Sequence, residues 1–92
     1  MEQYKVYHIC KHIRWTSEIH CVKVFDPDRQ STRTFLYPEA ALWDLIQQGY
    51  PVHRMNEMIA AIMKSNSNHV EKWMIPKINE WLTEELICTS DG

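Results

Sequence analysis

At Pro38 the pattern of apolar residues changes from one typical of strands to one typical of helices. Before it, segments rich in Val, Ile, Tyr and Phe are separated by short polar stretches, as strands are. After it, apolar residues recur at spacings of three and four, as on one face of a helix. The sequence therefore predicts an α+β domain in the order β-β-β-α-α-α, with the helices packed on one face of an antiparallel sheet.

The first part predicts a three-stranded antiparallel β-meander. The predicted strands cover about residues 4–14, 18–26 and 31–37. The segment Trp15-Thr16-Ser17 is the predicted turn of the first hairpin, which places His12 opposite His20.

Three helices are predicted in the second part, at about residues 38–48, 55–64 and 69–87. Pro38 suits the first position of a helix, and Gly49 suits the left-handed residue that ends one. Between them lies the apolar stripe Leu42, Leu45 and Ile46. Pro76 falls inside the third helix, where we expect a kink or a break because proline removes a backbone hydrogen bond.

The 92 residues predict a single domain, residues 1–92, and the 45% share of hydrophobic residues predicts a folded one. The longest apolar run, "MIAAIM", is much shorter than the roughly 20 residues of a membrane span. The charged start has no apolar signal-peptide core. Three cysteines without a paired spacing then predict reduced thiols and a cytoplasmic location.

His8, Cys10 and His12 alternate along the first predicted strand and raise the question of a metal site. A strand spreads such residues ~7 Å apart, which is too wide for three of them to bind one ion. Paired C-x-x-C or H-x₃-H spacing is also absent. We expect no metal and no cofactor at this row, which reads as a half-exposed polar face.

Sequence motifs of catalysis are absent as well. There is no serine-centred elbow, no glycine-rich phosphate loop and no H-E-x-x-H. Cys21 and His20 are neighbours on a predicted strand and point to opposite faces, so they do not form a dyad. The sequence predicts a protein without catalytic residues that is not an enzyme.

The charges are divided unequally along the chain. Residues 1–37 carry six Lys/Arg against four Asp/Glu, and the remainder carries four against eight. Such asymmetry is typical of proteins that bind charged partners. The predicted partner-binding residues lie on the strands and the following turn: Lys11, Arg14, Lys23, Arg29 and Arg33.

Three features carry a resemblance: the size of the chain, the meander "YKVYHICKHIRWTSEIHCVKVFDPDRQSTRTFLY" and the helix "PEAALWDLIQQG". In these features the chain resembles the small phage and mobile-element inhibitors of host defence, the anti-CRISPR proteins. The resemblance is one of kind and covers about half of the chain. It implies a phage-encoded protein of the host cytoplasm that blocks target-DNA binding by a crRNA-guided surveillance complex, with auxiliary contacts to RNA and none to a membrane.

Two other functions remain open at this stage. Immunity proteins and antitoxins, which neutralise toxins, are also small and acidic. An autonomous nucleic-acid-binding module would use the aromatic and basic residues of the strands. The pI near 6.2 argues against the second, since such modules are usually strongly basic.

Overall fold

The computed structural model describes residues 4–89, which form three helices and two antiparallel sheets, an α+β fold. In chain order the elements are β1 (Tyr7–Ile9), β2 (Arg14–Ser17), β3 (Cys21–Asp26), β4 (Ser31–Leu36), α1 (Glu39–Gln48), α2 (Val52–Met63), α3 (Ser67–Thr83) and β5 (Ile87–Thr89).

The larger sheet is an antiparallel meander with the strand order β2-β3-β4. Its first turn spans residues 18–20, where the Glu18 amide donates to the Cys21 carbonyl at 2.8 Å. The predicted turn at residues 15–17 is therefore wrong, because those residues continue β2. The corrected register pairs Trp15 with Val24, and both can then face the helices.

The predicted strand 4–14 is divided between the two sheets. β1 pairs with β5 from the far end of the chain, with His8 opposite Cys88. Residues 10–13 then form a turn in which the Ile13 amide donates to the Cys10 carbonyl at 3.0 Å. His12 lies outside any strand, so its predicted pairing with His20 is also wrong.

Cys10 and Cys88 form a disulfide that joins the turn after β1 to β5, with their Cα atoms 5.6 Å apart. The expectation of reduced thiols is therefore wrong for these two residues and holds for Cys21, which is free, so the cysteines do not support the predicted cytoplasmic location. The sequence separation of 78 residues explains why local spacing did not indicate the pair.

Four of the six predicted helix ends lie within two residues of the observed ends. α1 starts one residue after the predicted position, and α2 starts three residues before it, with Pro51 as its N-cap. At the start of α3, the Asn66 side chain accepts a hydrogen bond from the His69 amide at 2.7 Å, which is a standard cap. α3 continues through Pro76 as one helix, so the chain is not split there.

The last predicted helix, residues 69–87, ends four residues early, at Thr83. The Leu86 amide donates to the Trp81 carbonyl, and Glu85 takes a left-handed conformation with φ of 60°. This is a Schellman termination, in which glycine is the usual left-handed residue. Because a glutamate occupies that position, the sequence does not indicate the end of the helix. Residues 87–89 lie beyond this end and form β5.

Aromatic rings from the larger sheet, α1 and α3 meet in the core. Phe35 lies 5.5 Å from Trp43 and 4.8 Å from Trp81 between ring centroids, and the two tryptophans are 5.4 Å apart. The predicted stripe of α1 is confirmed, since Leu42, Leu45 and Ile46 are buried.

The methionine-containing face of α2 is only partly internal. Met55 and Ile59 are fully buried, but Ile62, which shares the helical spacing, is 56% exposed. None of the helices within residues 4–89 has the length and apolar character needed to cross a membrane.

Leu42→Ala tests the packing of α1 on the sheet. Leu42 is fully buried, so its truncation should lower the free energy of unfolding by about 2–5 kcal/mol, measured by denaturant titration. Ile62→Ala is the matched control on an exposed site and should cost less than about 0.5 kcal/mol. Equal losses in the two variants would contradict this arrangement of the core.

The disulfide predicts the number of reactive thiols. Protein purified without reductant should show one thiol per chain, that of Cys21, in a thiol-labelling assay under denaturing conditions. Reduction should lower the free energy of unfolding by about 2–4 kcal/mol because it releases a long closed loop. Three labelled thiols in the unreduced protein would contradict the Cys10–Cys88 bond.

Candidate interaction surface

One face of the larger sheet packs on the helices, and the other face is exposed. Because side chains alternate along a strand, the register decides which residues share a face. Trp15, Val24 and Phe35 face inward. We call the opposite side the outer sheet face: Arg14, Thr16, Cys21, Lys23, Phe25, Thr32, Thr34 and Leu36.

Exposed apolar side chains are concentrated on this face and at its end. Phe25 and Leu36 belong to it, and Leu36 is 62% exposed. Ile19 and Tyr37 are also exposed and, with Leu36, line an open groove between the β2–β3 turn and α1. These four make up most of the large exposed hydrophobic residues within positions 4–89, which include Tyr4 and Ile62 elsewhere. Such patches mark interaction sites more often than isolated residues do.

Two of the predicted partner-binding residues, Arg14 and Lys23, lie on the outer sheet face. Arg14 is directly opposite Phe25, and its guanidinium has no ion-pair partner in the described part of the chain. Lys23 Nζ lies 3.4 Å from Glu18 Oε2, which offsets its charge. Lys11 is separate from both, since it is exposed in the turn between β1 and β2.

The other two predicted residues, Arg29 and Arg33, turn toward the end of α3. Arg33 contacts the Glu84 carboxylate with Nη1, and its Nη2 lies 3.7 Å from Glu80 Oε2. Arg29 Nη2 lies 3.5 Å from Glu85 Oε1. The sequence predicts both arginines as partner-binding residues, but the structure gives both of them intramolecular partners.

Lys77 extends this group of ion pairs to the start of α1. Its Nζ donates to Glu80 Oε2 at 2.9 Å and lies 3.6 Å from Glu39 Oε2. The hydrogen bond from Lys77 holds the pKa of Glu80 below its ordinary value, and the same bond raises the pKa of Lys77. These contacts join α1, β4 and α3, so they have a structural role.

The row of His8, Cys10 and His12 does not exist as a single face. His8 lies in β1, Cys10 is in the disulfide and His12 is in the following turn. His12 instead comes close to Asp26 and Asp28, the one cluster of three or more potential metal-ligating groups within residues 4–89.

Both outer strands of the larger sheet have an edge without a neighbouring strand in the described structure. β4 is the longer of the two, with six residues, and contains no proline. A free edge presents backbone N–H and C=O groups that can pair with an extended chain. The predicted meander already ends with this strand, but the sequence does not indicate whether another part of the chain covers its edge.

No protein-family model matches this chain, and no match was found among curated proteins or solved structures.

Charge reversal at Arg33 tests its structural role. Arg33→Glu places a third carboxylate beside Glu80 and Glu84, and should lower the free energy of unfolding by about 1 kcal/mol. Arg14→Glu is the matched control on the outer sheet face, with an expected change within about 0.5 kcal/mol.

The double variant Arg33→Glu/Glu84→Arg restores an opposite-charge pair, so it should recover part of the loss in the same denaturant titration. Equal stabilities of the two single variants would indicate that Arg33 is a solvated surface residue.

Proposed function

We propose that this protein is a non-enzymatic interaction protein that binds a partner polypeptide through the larger sheet. The observation that carries the proposal is the exposed apolar patch of Leu36, Tyr37 and Ile19 at one end of the outer sheet face. Interface centres are typically apolar and aromatic with arginine at hot spots, and Phe25 and Arg14 lie together at the other end of the same face.

The charge distribution favours a protein over a nucleic acid as the partner. Arg29 and Arg33 are engaged by glutamates of α3 and its end, and Lys23 is paired with Glu18. A single-stranded nucleic-acid site needs a continuous cationic groove along the phosphates. The outer sheet face instead combines few unpaired cations with the exposed apolar side chains of Phe25 and Leu36.

The free edge of β4 suggests how the partner binds. An extended segment can add to this edge by backbone hydrogen bonds, while its side chains contact Leu36 and Tyr37 at the end of the strand. Backbone pairing supplies affinity in this mode, and side-chain contacts supply specificity.

The resemblance to anti-CRISPR proteins gives the proposal its specific form. The protein would bind a crRNA-guided surveillance complex in a fixed ratio and prevent target-DNA binding. Neutralisation of a toxin, as by an immunity protein or antitoxin, would use the same kind of surface on a different partner. Of the predicted partner-binding residues, Arg14 and Lys11 are exposed and are available for auxiliary contacts to RNA.

Leu36→Glu tests the interface. Leu36 is exposed, so the change should leave stability nearly unaltered, but it places a charge in the apolar patch. In titrations of a purified surveillance complex, the wild-type protein should abolish target-DNA binding at a fixed ratio, and Leu36→Glu should weaken this effect at least about tenfold. Ile62→Glu, an equally exposed aliphatic site on α2, should behave as wild type.

Amide hydrogen exchange in the complex then tests strand addition. Backbone amides of β4 that exchange rapidly in the free protein should become protected, because the new strand pairs with them. Full inhibition by Leu36→Glu would contradict the proposed surface. Tight binding of free DNA or RNA at physiological salt would favour the nucleic-acid module instead.

A further inference from the structure

His12, Asp26 and Asp28 come together from separate parts of the chain. His12 lies in the turn after β1, Asp26 ends β3, and Asp28 belongs to the turn that follows. His12 Nε2 lies 3.9 Å from Asp26 Oδ1 and 3.9 Å from Asp28 Oδ2. The three ligand atoms all lie within 4.8 Å of one another.

These distances are too long for direct hydrogen bonds between His12 and the carboxylates. Ligands at about 2.0–2.2 Å from zinc in a tetrahedron lie about 3.4 Å apart. The separations of 3.9 Å exceed that value by about 0.5 Å, and the widest separation in the cluster, up to 4.8 Å, exceeds it by about 1.4 Å, so the side chains would close around a bound ion.

Asp26 gives the cluster a fixed and buried member. Its side chain is 4% exposed, and Oδ1 accepts hydrogen bonds from the backbone amides of Asp28 and Arg29 at 3.0 and 3.3 Å. A buried carboxylate needs compensating charge, and no Lys or Arg of the described residues lies within 4.0 Å of it, so a bound cation would supply that charge. The Arg29 guanidinium turns away to Glu85.

We propose that His12, Asp26 and Asp28 form a binding site for a divalent transition metal, with Zn²⁺ as the preferred ion. One imidazole nitrogen and two carboxylate oxygens suit zinc, and water completes the coordination. Mg²⁺ and Ca²⁺ prefer sites with oxygen ligands alone. The ion would join the turn after β1 to the β3–β4 turn and so stabilise both.

This site is distinct from the row of His8, Cys10 and His12 that sequence analysis rejected, because it shares only His12 with that row. It is also independent of the proposed partner surface. Variants that lose metal binding should therefore show the same effect of Leu36→Glu as the parent protein. Leu36→Glu should in turn leave metal binding unchanged.

Isothermal titration with ZnCl₂ tests the proposal on the oxidised 92-residue chain after chelator treatment and dialysis. A Cys21→Ser background removes the free thiol as a competing ligand. One Zn²⁺ should bind per chain and raise the melting temperature, and MgCl₂ should have no comparable effect.

His12→Ala and Asp28→Asn should each weaken zinc binding by about tenfold or more, since each removes a ligand. His20→Ala is the matched control, because His20 is an exposed histidine outside the cluster, and it should bind zinc as the parent does. Asp26 is left intact because its carboxylate also orders the turn backbone.

Circular dichroism and denaturant titration of the metal-free variants check that they are folded. Absence of saturable zinc binding in the parent protein would overturn the proposal. Unchanged affinity in folded His12→Ala, or an equal loss in His20→Ala, would also overturn it, because the ion would then bind at other histidines.

Discussion

The contact of Phe35 with Trp43 and Trp81 joins the three main parts of the structure. Phe35 belongs to β4, Trp43 to α1 and Trp81 to α3, and their ring centroids are 4.8–5.5 Å apart. Aromatic rings bury more apolar area than other side chains and favour tilted or edge-to-face contacts such as these. The positions of α1 and α3 on the sheet therefore depend on this cluster.

The same contact decides what the protein presents to its surroundings. Phe35 and Leu36 are adjacent in β4, so burial of one exposes the other. With Phe35 inside, Leu36 joins Phe25 on the outer sheet face, and Arg33 shares the inner side with Phe35. There the Arg33 guanidinium lies 5.3 Å from the Phe35 ring centroid and reaches Glu80 of α3 and Glu84 just after its end. The proposed interaction surface and the ion pairs of Arg33 both follow from which face of β4 is buried.

The disulfide and the small sheet hold the two ends of the described chain together. β1 and β5 are only three residues long, and such short pairs are unstable alone. The Cys10–Cys88 bond and the burial of Tyr7 and Ile87 keep them in place. This arrangement brings His12 to the end of β3, so the proposed metal site depends on contacts between distant parts of the chain.

The sequence alone determined the fold class, the number of helices and the buried stripe of α1, because local spacing specifies which helical residues face a core. It also determined that β4 buries one and exposes the other of the adjacent residues Phe35 and Leu36, because side chains alternate along a strand. Tertiary structure decided which one, since the partner of Phe35 is Trp81, far along the chain. It likewise decided the division of the first strand, the left-handed end of α3 at Glu85 and the pairing of Arg29 and Arg33. Each of these features depends either on contacts between distant residues or on a backbone conformation that is unusual for the residue type. Neither of these two causes leaves a local pattern in the sequence.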